Sequence, residues 1–328
     1  MPNGISRFFE SAKRRKYHDE STNVSIVSVS RRAGPPHAGH VTLTNSGTCA
    51  SGESPWPVNV VTCGSTGEFP TLTSDERRRV TETVVRAAGA TLPVIAHTGA
   101  LSTVEAVELS RHAQEVGAAA VMVVPPFYEA LAWRELFAHY AAIASSIDIP
   151  IVVYTIPSAT GVDLSGPQVA ELAGLDGVEA IKVSSSSAFA LSELIQRYSE
   201  RISVLVGWDT LAFHGFVEGA SGSIWGAANV IPELCVELFE SARRKSDLVV
   251  ARELWSRIWP ICAFLETHGY VASVKAGCEL VGHPVGPPRL PMQPLPDEDR
   301  ARLAQVLRDS GVRLGSDGAS RAAPVGRE

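Results

Sequence analysis

From residue 58 onward, short apolar runs rich in β-branched residues alternate with amphipathic stretches along most of the chain. Residues 58–63, 93–97, 121–124, 149–155, 178–184, 202–206 and 223–225 read as strands. Their apolar character is close to continuous, the pattern of strands covered on both faces in a parallel sheet. Between them the spacing predicts helices over 74–88, 102–117 and 133–144, from about 165, and over 189–198 and 211–218. Ser74 precedes Asp75 and Glu76 as a serine cap followed by acids, and Ser102-Thr103-Val104-Glu105 has the form of a capping box. Strands that alternate with helices pair in parallel through right-handed crossovers. A weaker segment, residues 24–29, alternates well enough to be an eighth strand. That count predicts an α/β fold of the (β/α)8 TIM-barrel type over an open doubly wound sheet.

Beyond residue 230 the pattern is helical, over 233–242, 248–267 and 270–281, with a last helix at 298–309 after the proline-rich segment 286–296. The first 57 residues differ. They hold the basic cluster Lys13-Arg14-Arg15-Lys16 and a Gly/Pro/Ser-rich stretch in which no helix is predicted between 31 and 57. The basic cluster reads as a solvated arm, an address or an anion site being the alternatives. The expected organisation is therefore an atypical N-terminal segment (1–57), a barrel (58–230), a C-terminal helical region (231–310) and a disordered Gly/Ser/Ala/Arg-rich tail (311–328).

Composition changes this picture little but narrows the class. The 328 residues suit one barrel with added helices, or two domains. A net charge of −6 gives no reason to expect nucleic acid or an anionic membrane as partner. The five cysteines are odd in number and lack C-x-x-C spacing, which suits reduced thiols in a cytoplasmic protein. No apolar run approaches the ~18 residues of a membrane span, and no signal-peptide pattern opens the chain. Neither His97 nor His214 has metal-ligand spacing, and no metal or cofactor is expected.

The chemistry-bearing residues cluster at the carboxyl ends of the expected strands, where barrels place their sites. Lys182 lies inside the mostly apolar run Val178–Ser184. Desolvation favours the neutral form of an amine, and a neutral amine attacks carbonyl carbon to give a Schiff base. The alternative is a lysine whose stem lies on apolar surface while its head reaches water or a carboxylate. The neighbouring strand ends carry Gly64-Ser65-Thr66-Gly67-Glu68, Pro126-Phe127-Tyr128, Tyr154-Thr155-Ile156-Pro157 and Gly207-Trp208-Asp209. A hydroxyl-bearing glycine loop can cradle a carboxylate, and a phenol linked to hydroxyls can pass protons. Together they form a set for Schiff-base chemistry on a 2-oxo acid. Taken singly, each has a plainer reading: a core tyrosine at 154, a surface aromatic at 128, a tight turn at 64–68. Asp209 reads as a second-substrate contact or as a helix N-cap. Glu68, Lys275 and Arg289 read as structural.

These motifs, in this order and with Thr160-Gly161, Val274-Lys275-Ala276 and Pro284-Val285-Gly286-Pro287, resemble the dihydrodipicolinate synthase / N-acetylneuraminate lyase family over residues 58–310. The resemblance implies a class I, pyruvate-dependent aldolase or lyase, like 4-hydroxy-tetrahydrodipicolinate synthase. It would place the imine on Lys182 and general acid/base work on Tyr154. Ser65 and Thr66 would bind the pyruvate carboxylate, with proton relay through Ser65, and Tyr128 would be lent to a neighbouring subunit's site. Gly64, Gly67, Ser184, Gly207, Asp209 and Ile224 would complete the substrate-binding set. It further implies a homotetramer, a dimer of dimers. Two positions depart from the best-known subfamilies. Ala159 stands where the lysine-pathway synthases usually carry a carboxylate-binding arginine, and Thr210 where sialic-acid lyases usually carry glutamate. The alternative activity is that of an N-acetylneuraminate lyase or of a 2-keto-3-deoxy sugar-acid aldolase or dehydratase. At the N-terminus the family's threonine-proline turn and long first helix are missing, so a non-catalytic barrel is the alternative of another class.

Overall fold

The computed structural model describes residues 24–30, 58–88 and 92–315. Eight strands form one ring: β1 (Val24–Ser30), β2 (Val58–Thr62), β3 (Val94–His97), β4 (Ala120–Val123), β5 (Ile151–Thr155), β6 (Val178–Val183), β7 (Ser203–Val206) and β8 (Gly222–Ser223). The seven strands β2 to β8 are parallel, each bonded to the next. The expected (β/α)8 regularity ends at β1, which lies antiparallel to both β2 and β8. The physical reason was present in the sequence. A parallel neighbour needs a crossover of a dozen or more residues, usually helical, and residues 31–57 offer no helical pattern.

Around this sheet run α1 (Ser74–Ala88), α2 (Thr103–Glu115), α3 (Trp133–Ala144), α4 (Gly166–Leu172), α5 (Ala188–Tyr198) and α6 (Ala212–Glu218). Their starts follow side-chain chemistry. Ser102 caps α2 by accepting from Glu105 N at 3.2 Å, and Ser187 caps α5 through Ala190 N at 3.1 Å. Only half of the expected box at α2 forms, because the Glu105 carboxylate reaches across to Ser74 Oγ at 2.5 Å. After β8 come α7 (Pro232–Phe239), which ends in a π-turn over Glu240–Arg244, then α8 (Leu248–Thr267), α9 (Tyr270–Leu280) and α10 (Asp297–Asp309). Their core is continuous with Phe216 of α6 and with Trp225 just after β8. Residues 311–315, assigned to the disordered tail from sequence, are held instead, with Val312 and Leu314 on this core and Gly315 N donating to Leu280 O. Among the described residues no helix is long and apolar enough to cross a membrane.

The parallel strands are apolar on both faces, which explains their unbroken hydrophobic runs. Ala96, Val121, Val153, Ile181 and Val204 pack outward with residues of the helices. Val61, Ile95, Met122, Val152, Ala180 and Leu205 pack with one another inside the ring. Because side chains alternate with period two, this assignment also sends Tyr154, Lys182 and Gly207 inward at the carboxyl end.

Candidate active site

Lys182 follows Ala180 on the inward face of β6 and is 8% exposed. It is register-paired with Tyr154 of β5, and its Nζ lies 4.1 Å from the centroid of the Tyr154 ring. Tyr154 is itself buried, and its Oη is 3.2 Å from Ser65 Oγ in the loop after β2. The half-buried Ser65 is thus linked to the Tyr154 hydroxyl, and the amine lies over the face of the same ring. Among the described residues no carboxylate stands within ion-pairing distance of Lys182, which removes one plainer explanation for this lysine.

The stem of Lys182 leans on β7. An ideal Cβ added to Gly207 would stand 2.7 Å from Lys182 Cε and 2.3 Å from Ser184 Oγ, so only glycine fits without displacement. Ser184 Oγ donates to Gly207 O at 2.8 Å and locks the two strand ends together. Ile224, one residue beyond β8, closes the same interior layer. The structure thus brings Ser65, Tyr154, Lys182, Ser184, Gly207 and Ile224 to one mouth, with Thr66 half-buried in the adjoining loop.

That loop, residues 63–68, is strained and heavily supported. Cys63 and Glu68 adopt left-handed backbone with φ of 53° and 58°, a conformation non-glycine residues rarely take. A Cβ on Gly67 would meet Gly64 N at 3.1 Å and Cys63 Cα at 3.2 Å, whereas Gly64 has room for one. The Glu68 side chain is wholly buried and pairs with Lys275 Nζ of α9 at 2.5 Å, while its Oε1 accepts from Arg289 N at 2.6 Å. Lys275 also donates to Pro287 O. The Arg289 guanidinium binds Glu76 and pulls that carboxyl down to about 2. Breaking a buried ion pair of the Glu68–Lys275 kind typically costs about 3–5 kcal/mol. These groups hold the loop and do not reach Lys182.

Two expected residues are placed differently. Tyr128 projects from the loop after β4 at 82% exposure and touches neither Tyr154 nor Lys182 within this chain. Asp209 is buried, and it is not the N-cap of the short 3-10 turn Asp209–Leu211, a place taken by Trp208. Its Oδ2 accepts from Ala227 N at 2.9 Å, tying the β7 loop to the β8 loop. Burial pushes the Asp209 carboxyl up to about 6.

Sequence reasoning passed over one buried neighbour, Arg77, and weighed another, His97, only as a metal ligand. Arg77 of α1 donates from Nη2 to His97 O at 2.8 Å and to Gly99 O at 3.0 Å, and lies over the Phe69 ring. His97, inward at the end of β3, packs on Phe69 at 4.4 Å and edge-on to Tyr154 at 6.3 Å. Burial, reinforced by Arg77 and Lys182, keeps this imidazole neutral. The polar residue ending an apolar run was the only available signal. The four described cysteines are unpaired and buried, and burial pushes the Cys63 thiol up to about 11.

Residues 58–310, the span that carries all of these groups, match the family model described as "Dihydrodipicolinate synthetase family". The chain belongs to that family. Enzymes of the dihydrodipicolinate synthetase family are lyases. The 4-hydroxy-tetrahydrodipicolinate synthase of Methanothrix thermoacetophila is 39% identical over 251 residues, which is 76% of this chain and 83% of the relative. A protein of Halobacterium salinarum named an uncharacterized DapA-like lyase is 41% identical over 249 residues, 76% of this chain and 81% of its own. Among solved structures, the chloride-inhibited dihydrodipicolinate synthase of Acinetobacter baumannii, complexed with pyruvate, is similar with a TM-score of 0.74. Its sequence identity is 33%, over 77% of this chain and 87% of that one.

Proposed function

We propose that this lyase works through a Schiff base, joining or releasing pyruvate and an aldehyde on Lys182. The observation that carries the reading is the Ser65–Tyr154–Lys182 arrangement: a buried amine 4.1 Å from a phenol ring whose hydroxyl is 3.2 Å from a serine hydroxyl. The similar A. baumannii enzyme complexed with pyruvate supports a 2-oxo acid as the first substrate.

In this reading the Lys182 amine attacks the keto carbon of pyruvate. Tyr154 protonates the carbinolamine oxygen, which leaves as water, and the phenol recovers its proton through Ser65. Loss of a methyl proton turns the imine into an enamine, whose carbon attacks the aldehyde. Hydrolysis then frees Lys182. Ser65, Thr66 and the backbone of Gly64 to Gly67 receive the pyruvate carboxylate. Tyr128, exposed on its own chain, is lent to a neighbouring subunit in a homotetramer built from dimers. The second carbonyl follows either the 4-hydroxy-tetrahydrodipicolinate synthase pattern or that of a sugar-acid aldolase or dehydratase. Ala159, exposed in the helical turn Pro157–Thr160, favours the second reading because it offers no cation to a carboxylate.

The test is borohydride reduction in the presence of pyruvate, with the modified residue mapped by mass spectrometry. An adduct on Lys182 that disappears in Lys182→Ala is expected. An adduct elsewhere, or one that persists in the variant, overturns the assignment.

A further inference from the structure

The β7 loop that presses Gly207 against Lys182 is bonded to β6 at Gly207, whose N donates to Val183 O at 2.8 Å and whose carbonyl accepts from Ser184 Oγ, but beyond Gly207 it is also gripped from the C-terminal region. Thr210, three residues after Gly207, is bound by a carboxylate from the C-terminal region, Glu266 near the end of α8. Thr210 N donates to Glu266 Oε1 at 2.9 Å and Thr210 Oγ1 to Oε2 at 2.8 Å. Both oxygens of the Glu266 carboxylate are thus engaged by the backbone and the side chain of one loop residue. Such charge-assisted bonds are roughly twice as strong as neutral ones, and a group bound on both oxygens is fixed in orientation as well as place.

What the clamp fixes is the wall behind Lys182. Gly207 stands three residues before the clamped Thr210, its backbone is packed against the Lys182 stem, and its carbonyl accepts from Ser184. Asp209, adjacent to Thr210, carries the constraint onward to Ala227 in the β8 loop. The carboxylate itself does not border the lysine.

We infer that Glu266 is a positioning residue for Lys182, acting through the Thr210 clamp and the Gly207 wall. This rests on Lys182 being the reactive amine. Replacing Glu266 by glutamine keeps the volume but removes the charge and one acceptor oxygen; the Thr210 hydroxyl must turn to accept from the new NH2 group, and the weaker, neutral bonds loosen the loop behind the lysine. A misplacement of about 1 Å can cost around 10²-fold in rate, so a loss of tenfold or more in imine formation is expected for the partial shift caused by Glu266→Gln.

The experiment compares the wild type, Glu266→Gln, Thr210→Val, Thr210→Ser and the Glu266→Gln/Thr210→Val pair. The first readout is the rate of borohydride trapping with pyruvate. The second is the rate of reductive methylation of Lys182 by formaldehyde, relative to the other lysines, which requires no pyruvate. Expected are slower trapping and altered Lys182 methylation in Glu266→Gln, a smaller effect of the same kind in Thr210→Val, near wild-type behaviour in Thr210→Ser, and a double variant no worse than Glu266→Gln. Wild-type values of both readouts in folded Glu266→Gln, or a fully additive double variant, overturn the inference. If the wild type traps no pyruvate, the proposed function fails, and the methylation rates still decide the role of Glu266. Were Glu266 only a stabilising group, trapping per folded molecule would be unchanged.

Discussion

Replacing Gly207 by alanine separates stability from chemistry. The added methyl would stand 2.3 Å from Ser184 Oγ, 2.7 Å from Lys182 Cε and 3.0 Å from Lys182 Cγ. Carbon atoms settle at about 3.5–4.0 Å, so the lysine stem must retreat by roughly 1 Å. Both crowded groups are side chains able to rotate, and the fold therefore pays only for local overpacking, typically about 1–3 kcal/mol. The Ser184 bond to Gly207 O, normally worth about 0.5–1.5 kcal/mol, falls within that range. For a chain of this size each kcal/mol lowers the melting temperature by about 2–4 °C or less. The reaction is more sensitive, since a displacement of about 1 Å at a reacting group can cost 10²-fold. Gly207→Ala should therefore melt within about 10 °C of the wild type and trap pyruvate about a hundred times more slowly. The two measurements are a thermal melt and a borohydride trapping time course. A variant that traps at the wild-type rate would show that the wall at 207 does not set the position of Lys182. One that fails to fold would show that Lys182 and Ser184 cannot move aside.

Two further outcomes follow from the same geometry. Tyr154→Phe should still allow pyruvate to be reduced onto Lys182 but slow turnover by about 10² or more, and a near-normal turnover number would remove Tyr154 from proton transfer. Asp209, pushed up to about 6 by burial, binds its proton more readily in the folded chain than in the unfolded one. Its contribution to stability is therefore fully present below about pH 4 and is lost as the pH rises through about 6, by roughly 3 kcal/mol at most. Asp209→Asn keeps an oxygen for Ala227 N and removes that slope. The variant should gain stability relative to the wild type between about pH 4 and pH 7 in thermal melts, and a pH-independent difference would contradict the linkage.

Lys182, Tyr154 and the loop at 64–68 were legible because each signal is local: a lysine inside an apolar run, a tyrosine ending another, glycines flanking hydroxyls. The inward direction of all three follows from strand periodicity alone. The direction of β1 was not legible from its own seven residues, since alternation is the same in parallel and antiparallel strands. It is set by the connection, and the lack of a helical pattern in the sequence of 31–57 was the clue. The partners of the loops were hidden for another reason. Glu68 with Lys275, and Thr210 with Glu266, are joined across long sequence separations, and nothing in either residue's neighbourhood names the other. Asp209 illustrates the same limit. Its position after β7 allowed a substrate contact or a cap, and only the packed β8 loop makes it a cross-link.

The tie from Glu68 to Lys275 and to the amide of Arg289, 221 residues further on, bears on the order of events during synthesis. The strands and helices of the barrel can assemble as they leave the ribosome, but the loop after β2 carries left-handed backbone at Glu68, and the Lys275 ammonium that pairs with this carboxylate arrives only with α9. Contacts so distant along the chain are among the slowest to form. The mouth is therefore finished last, and nascent chains halted before residue 275 would hold a barrel without a competent site.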